Sequence, residues 1–282
     1  MLPQKALHMH IESDKKRPKY IGQSYTLMEK LDGWYGFHDT GLQIRSRADR
    51  VIPSLRTMSM ILNEKVSRKG RLIFEILVDG VTEFSELNGL LNRTIGDCEC
   101  REAYIVVHDF IPNWNISTPF YSRYNYCMDI VDKINNPRVK VAPIIHVSDS
   151  PTAWKEQAEK IWAKGGEGVI LKRSNAGYSP GKRNYDLMKI KEEIELDLLV
   201  IGVEGGEGKY LGTTGALRCK STTGEHSVSG MTDQERNFWW DNPEEIIGKV
   251  IKVKAMKINP DGSIREPRYI CIRHDKLPGD ID

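Results

Sequence analysis

The texture of the sequence changes once, near Lys191-Glu192-Glu193, and that change limits the fold more than any other feature. Before it, strand-like runs alternate with segments of helical spacing. Phe120, Tyr124, Cys127, Val131 and Ile134 recur at the interval that stacks side chains on one helix face, so this aromatic stripe is expected to be core. After it, helical spacing almost vanishes, and short strands at 196–203, 217–221, 226–229, 250–257 and 269–273 alternate with Gly-rich turns. A stretch of roughly 90 residues of that kind suits a small β-barrel. The expected architecture is a mixed α+β domain over residues 1–191 followed by an all-β domain over 192–282.

Within the first domain, residues 1–20 are polar, and the basic run Lys15-Lys16-Arg17-Pro18 at their end reads as a solvated arm. Residues 25–30 read as a strand that carries Lys30 at its end and bends at Gly33. Residues 34–38 and 42–46 flank Asp39-Thr40-Gly41, a hairpin signal. Short helices are expected over 53–62 and 82–91 around a strand at 72–78, and buried strands at 139–146, 168–172 and 187–191. Ser150-Pro151 predicts a capped helix burying Trp154, Ala158 and Ile161. In the second domain Thr232-x-x-Glu235 marks one short helix before Phe238-Trp239.

Composition narrows the function. A net charge of +2 means that any polyanion site must come from the placement of charge, not from its excess. Five cysteines without a C-x-x-C pair read as free thiols, not as a metal site or disulfide frame. No G-x-x-x-x-G-K-S/T run occurs, so nucleotide chemistry cannot rest on that loop. The first residues carry no apolar run of signal length and no later segment is long enough to span a bilayer, so a soluble, cytoplasmic protein is expected.

Several short stretches fall in a fixed order: Glu29-Lys30-Leu31-Asp32-Gly33, Phe74-Glu75, Val107-His108-Asp109, Glu167-Gly168-Val169-Ile170-Leu171-Lys172, Met188-Lys189-Ile190-Lys191 and Arg265-Glu266-Pro267-Arg268-Tyr269, which runs on to Arg273-His274-Asp275-Lys276. In order and spacing they resemble the motif series of ATP-dependent DNA ligases, within the lysine-dependent nucleotidyltransferases, from about Thr26 to Lys276. Gly208-Lys209-Tyr210-x-Gly212 and Gly215-Ala216-Leu217 resemble the opening strands of the ligase OB domain. The resemblance implies an adenylation domain followed by an OB-fold, and nick sealing in DNA replication and repair. ATP would be the nucleotide, with AMP carried as a covalent intermediate, and Mg²⁺, or Mn²⁺ in its place, the metal. Nicked double-stranded DNA would be the partner of a monomeric protein. Because Lys30 lies so near the start, a minimal ligase without a preceding DNA-binding domain is expected, of the sort found in viruses and some bacteria.

By the same resemblance Lys30 is the nucleophile, with Asp32, Lys189 and Lys191 completing the catalytic set. Neutralising a free lysine amine at pH 7 costs about 4.6 kcal/mol from its reference pKa of ~10.4. Neighbouring cations lower that cost, and a period-two strand points Lys189 and Lys191 to one face. Glu29, Arg47, Glu75, His108, Glu167, Arg265, Arg273 and Lys276 join Lys189 and Lys191 as nucleotide-binding residues. In that set Glu75 accepts from the ribose, and Glu167 is the metal-associated carboxylate. Arg45, Arg47, Lys220, Lys252 and Lys254 are the DNA-contacting cations. Two positions depart from the family pattern: Tyr35 occupies the usual arginine slot, and His108 replaces the aromatic residue that packs on adenine. Two other readings stay open: an RNA ligase or GTP-dependent capping guanylyltransferase, and a non-catalytic nucleic-acid-binding module.

Overall fold

The structure, a computed structural model, describes residues 1–9, 20–95, 98–113, 115–259 and 261–282. The basic run Lys15-Lys16-Arg17-Pro18 lies outside them. The chain divides into two compact units, Met1–Lys191 and Glu192–Asp282.

In chain order the first unit runs β1 (Lys5–His8), β2 (Tyr25–Glu29), β3 (Trp34–Asp39), β4 (Arg45–Ser46), α1 (Arg56–Lys65), β5 (Gly70–Val78) and α2 (Phe84–Leu91). It continues with β6 (Ala103–Pro112), α3 (Phe120–Ile134), β7 (Val139–Val141), β8 (Ile144–Ser148), α4 (Pro151–Trp162), β9 (Gly168–Arg173) and β10 (Arg183–Lys191). These strands form two five-stranded sheets, ordered β1-β10-β9-β2-β8 and β4-β3-β5-β6-β7.

Strand alternation explains how each sheet is covered. Along β5, Leu72, Phe74, Ile76 and Val78 enter a core with Met58 and Leu62 of α1, Leu87 of α2 and Cys127 of α3. Along β2, β9 and β10, the residues Leu27, Val169, Leu171, Met188 and Ile190 pack on Trp154 and Ala158 of α4. The alternate residues, Ile73 and Glu75 of one sheet and Ile170, Lys172, Leu187 and Lys189 of the other, are left to line a common cavity.

Four expectations need correction. The polar residues 1–20, read without a strand, contain one: Lys5–His8 pairs in parallel with β10, and Met9 is buried. The second arm of the hairpin shrinks to Arg45–Ser46, because Ile44 donates its N–H to Ser59 Oγ and accepts from Ile52, not from β3. The single strand expected at 139–146 is two, β7 in one sheet and β8 in the other. Pro143 has no N–H to continue a ladder, and Ala142 donates to Val107 O as the chain crosses over. The run 250–257 likewise splits, at Met256.

The second unit comprises β11 (Ile194–Gly205), β12 (Thr214–Lys220), β13 (Glu225–Val228), α5 (Asp233–Asp241), β14 (Val250–Ala255), β15 (Lys257–Ile258), β16 (Ile264–Arg265) and β17 (Arg268–Ile272). A sheet ordered β13-β12-β11-β14-β17 and the pair β15-β16 enclose Leu198, Val200, Leu217, Val228, Ile251 and Val253, with Trp239 of α5 against them. The helix starts at a complete capping box: Glu235 N–H donates to Thr232 Oγ1 at 3.2 Å, and Thr232 N–H to Glu235 Oε2 at 2.7 Å. Among the described residues, no helix is long and apolar enough to cross a membrane.

Candidate active site

A cavity of about 490 Å³ opens between the inner faces of the two sheets of the first unit. Its walls include Glu29, Lys30, Arg47, Glu75, His108 and Lys189 from the sequence-derived set. Lys30 follows β2 directly, and its N–H donates to Gly168 O at 2.8 Å. Only glycine suits position 168: its φ is 137°, and a Cβ there would sit 2.1 Å from Ile190 O. The Lys30 ammonium donates to Glu167 Oε2 at 2.5 Å, with 20% and 13% of the two side chains exposed. Glu167 therefore holds the amine in this state, and its other carboxylate oxygen remains for a further contact.

Glu75 stands opposite Tyr35 in the β3–β5 pairing. Burial pushes its carboxyl up to about 8, against the downward pull of Lys30 and Arg47. Arg47 lies over the Tyr35 ring, 4.6 Å from its centroid, so a cation stands beside the residue that replaces the arginine of the family pattern. Burial, with Tyr178 facing it, also raises the Tyr35 phenol, so that it stays protonated.

A bulge presents His108. In the β5–β6 ladder Ile73 pairs with Asp109 and Phe74 with Val107, which leaves His108 as the extra residue with its carbonyl released from the ladder. Lys172 of β9 takes that carbonyl at 2.7 Å, His108 Nδ1 at 3.1 Å and Asp109 Oδ2 at 3.2 Å. Arg123 of α3 completes the cluster with a two-pronged contact to Asp109, at 2.8 and 3.2 Å. Burial and the Lys172 charge lower the imidazole to about 3, so it is neutral across the working range. Arg123 and Lys172 overcome burial and hold Asp109 well below the usual carboxylate range.

Other assigned residues fall elsewhere. Lys191 is buried at the end of β10, opposite Gly168, and is not on the cavity wall, whereas Lys189 is. Asp32 is half-buried just beyond the lining. Arg45 bonds Asp49 through its carbonyl at 2.9 Å and its carboxylate at 3.4 Å. Arg265, Arg273, Lys276, Lys220, Lys252 and Lys254 belong to the second unit. There Arg273 forks onto Asp197 and Asp275, and Lys276 lies 3.6 Å from Asp197. Lys252 and Lys254 share Glu195, at 2.8 and 3.5 Å, while Lys220 is exposed.

Sequence patterns assign no site role to Lys172, Arg173, Tyr178 or Arg183, or to Gln4, Lys5 and Ala6 at the start of β1, all of which line the cavity. For Lys172 a signal was present, as the last residue of the Glu167–Lys172 stretch. For Gln4 to Ala6 there was none, because a short polar strand is defined only by what it pairs with.

Among the described residues no three His, Cys, Asp or Glu side chains converge as a complete metal cage. Magnesium carried by a triphosphate needs only one or two carboxylates, and Glu167, paired with Lys30 of the cavity wall, supplies one.

The Glu75 shift predicts a pH effect. The native carboxyl keeps its proton to about 8 while the unfolded one loses it near 4.5, so this group's contribution is full below about 4.5 and is lost as pH rises through 8. Glu75→Gln removes that loss. Between about pH 5 and pH 8.5, its stability relative to the parent should improve by roughly 2–4 kcal/mol in urea melts. An unchanged difference at the two pH values would exclude an elevated Glu75.

Residues 62–191 match the family profile for the ATP dependent DNA ligase domain, and residues 205–273 that for the DNA ligase OB-like domain. A DNA ligase of Thermococcus fumicolans is 28% identical over 198 residues, 59% of this chain and 34% of the relative. The chain thus spans about a third of the length of such curated relatives. A solved Lig E DNA ligase, studied for DNA binding with a minimal scaffold, superposes with a TM-score of 0.78 at 21% identity, covering 97% of this chain and 99% of that one. The ATP-dependent DNA ligase of bacteriophage T7, solved with ATP, gives 0.58 at 17% identity, covering 96% and 98%. Fold and site together define a nucleotidyltransferase domain joined to an OB-like domain. By its two matched domains the chain belongs to the ATP-dependent DNA ligase family.

Proposed function

We propose that this protein seals nicks in duplex DNA at the expense of ATP, with Lys30 as the covalent carrier of AMP. The observation that carries the reading is the Lys30 amine at the wall of a cavity that also holds Glu75, His108, Arg47 and Lys189. In the first step the Lys30 nitrogen gives up a proton and attacks the α-phosphorus of ATP; the bond to the β-phosphate oxygen breaks and pyrophosphate leaves. The 5′-phosphate of the nick then attacks the same phosphorus, and the lysine leaves with its amine restored. Finally the 3′-hydroxyl attacks the activated 5′-phosphate, joins the strand and releases AMP.

Glu167, already bonded to Lys30, orients the amine, and Lys189 offsets charge gathering on the α-phosphate. Lys191, at the buried end of β10, supports the electrostatics from behind the wall. Glu167 would hold Mg²⁺, which when bound supplies positive charge to the phosphates. Asp32 is assigned to the 3′-hydroxyl end of the nick.

Mass spectrometry tests this directly. Incubation with ATP should add the mass of one AMP, lost again on exposure to pyrophosphate, and the protein should then seal a labelled nicked DNA duplex. Labelling by GTP in place of ATP, or joining of RNA alone, would replace this reading with the capping or RNA-ligase alternative.

DNA contacts are assigned to Arg45, Arg47, Lys220, Lys252 and Lys254. Phosphate contacts of this kind release counterions, so affinity for a nicked duplex should fall about 100-fold between about 50 and 200 mM salt, for roughly four neutralised phosphates. Fluorescence anisotropy reads this, and a change below threefold would exclude backbone neutralisation as the source of affinity.

A further inference from the structure

The bulge that carries His108 also fixes its tautomer. A lysine ammonium has three protons and no lone pair. Lys172 directs those protons at three acceptors: His108 O, His108 Nδ1 and Asp109 Oδ2. Burial and Arg123 pull the Lys172 amine down, and the Asp109 carboxylate at 3.2 Å opposes them in favour of the ammonium. Nδ1 therefore carries the lone pair, and the ring proton sits on Nε2. That nitrogen lies 4.0 Å from Glu75 Oε1, too far for a direct bond. Both groups line the cavity. One oxygen placed about 2.8 Å from each would bridge them.

The chemistry of such a bridge is restricted. With Glu75 ionised, the bridging atom must accept from the imidazole N–H and donate to the carboxylate oxygen. A carbonyl or phosphate oxygen cannot donate, and an ammonium cannot accept; a hydroxyl does both. On the ligase reading, which this inference rests on, the hydroxyls available are those of the nucleotide's ribose.

We propose that His108 Nε2–H and Glu75 form a clamp for one ribose hydroxyl, with Lys172 as the positioning residue that sets the tautomer. The site then selects the ribonucleotide over the analogue lacking that hydroxyl. His108 is more than a plate for the base: it supplies a ribose-directed donor in a pocket whose usual arginine is replaced by Tyr35. The groups facing the imidazole are Lys172 of β9, Asp109 of β6, Glu75 of β5 and Arg47 after β4. Lys172 and Arg47 both oppose a second ring proton, so the imidazole stays neutral across the neutral range.

The experiment measures binding of ATP, 2′-dATP and 3′-dATP without metal at about pH 9, where Glu75 is ionised, together with ¹⁵N NMR of the His108 ring. One deoxy analogue should bind about 10- to 100-fold more weakly than ATP, and the ring should show the Nε2–H pattern. His108→Phe keeps a flat ring without the donor; it should weaken ATP several-fold, leave that analogue unchanged, and so reduce the discrimination. Equal binding of all three nucleotides, or an Nδ1–H ring in the parent protein, overturns the clamp whether or not the variant folds. Formation of the AMP adduct from ATP is scored separately. A missing adduct with discrimination intact would overturn the ligase reading and leave the clamp standing.

Discussion

Lys30→Ala is expected to abolish the covalent nucleotide adduct, with nick sealing reduced about 10⁴-fold or more, the scale at which loss of a nucleophile is felt. The alanine removes the atom that must bond to phosphorus, and no water can replace it, since hydrolysis of ATP leaves nothing activated on the protein. The backbone should tolerate the change, because Lys30 is fixed through its N–H to Gly168 O and not through its side chain. Glu167 loses its ion-pair partner, but with 13% of its side chain exposed it can be hydrated. Binding of ATP should weaken only modestly. The measurement is intact-protein mass after incubation with ATP. An adduct of undiminished yield in Lys30→Ala would move the nucleophile elsewhere, and Lys189, on the same cavity wall, would be the first place to look.

A large stability effect is expected at Asp109, on the scale of truncating a buried aromatic side chain. Its carboxylate balances two buried cations, Arg123 and Lys172, with side-chain exposures of 5%, 4% and 8%. Asp109→Asn keeps the shape but leaves both cations without a countercharge. Breaking a buried pair in this way costs about 3–5 kcal/mol. For a unit of this size that corresponds to a fall in melting temperature of roughly 10 °C. Lys172→Met should be milder, because Asp109 keeps the two-pronged Arg123 contact. Thermal melts of the two variants test the asymmetry. A larger loss in Lys172→Met than in Asp109→Asn would mean that the cluster is organised around the lysine.

What the sequence disclosed follows from how local each feature is. The Thr232-Glu235 box is complete within four residues, and it forms as read. The α3 stripe rests on a period of three to four, and Phe120, Tyr124, Cys127 and Ile134 are indeed buried. The mixed first domain and OB-like second domain were legible because strand length and turn composition differ so clearly on either side of Lys191. Features set by pairing were not. The bulge at His108 is a register slip between β5 and β6, invisible in either strand alone. The contact of Lys172 with His108 joins residues 64 apart, and β1 exists only because β10 offers it an edge. Pro143 is a different case, because its signal is local: a missing N–H is reason enough to divide the run at 139–146, whatever the rest of the chain does.

The crossover at Ala142-Pro143 has a consequence for how the catalytic distances are maintained. Lys30 and Lys189 hang from one sheet, Glu75 and His108 from the other, and this stretch stitches the two together, as does the link from β2 to β3 through Lys30 and Gly33. On the proposed reading, the gap from the Lys30 nitrogen to the sugar is therefore a property of how two slabs are sutured. A slippage of about 1 Å between the slabs could cost 100-fold in rate with every chemical group intact. Substitutions at that seam should thus behave as kinetic lesions at a distance.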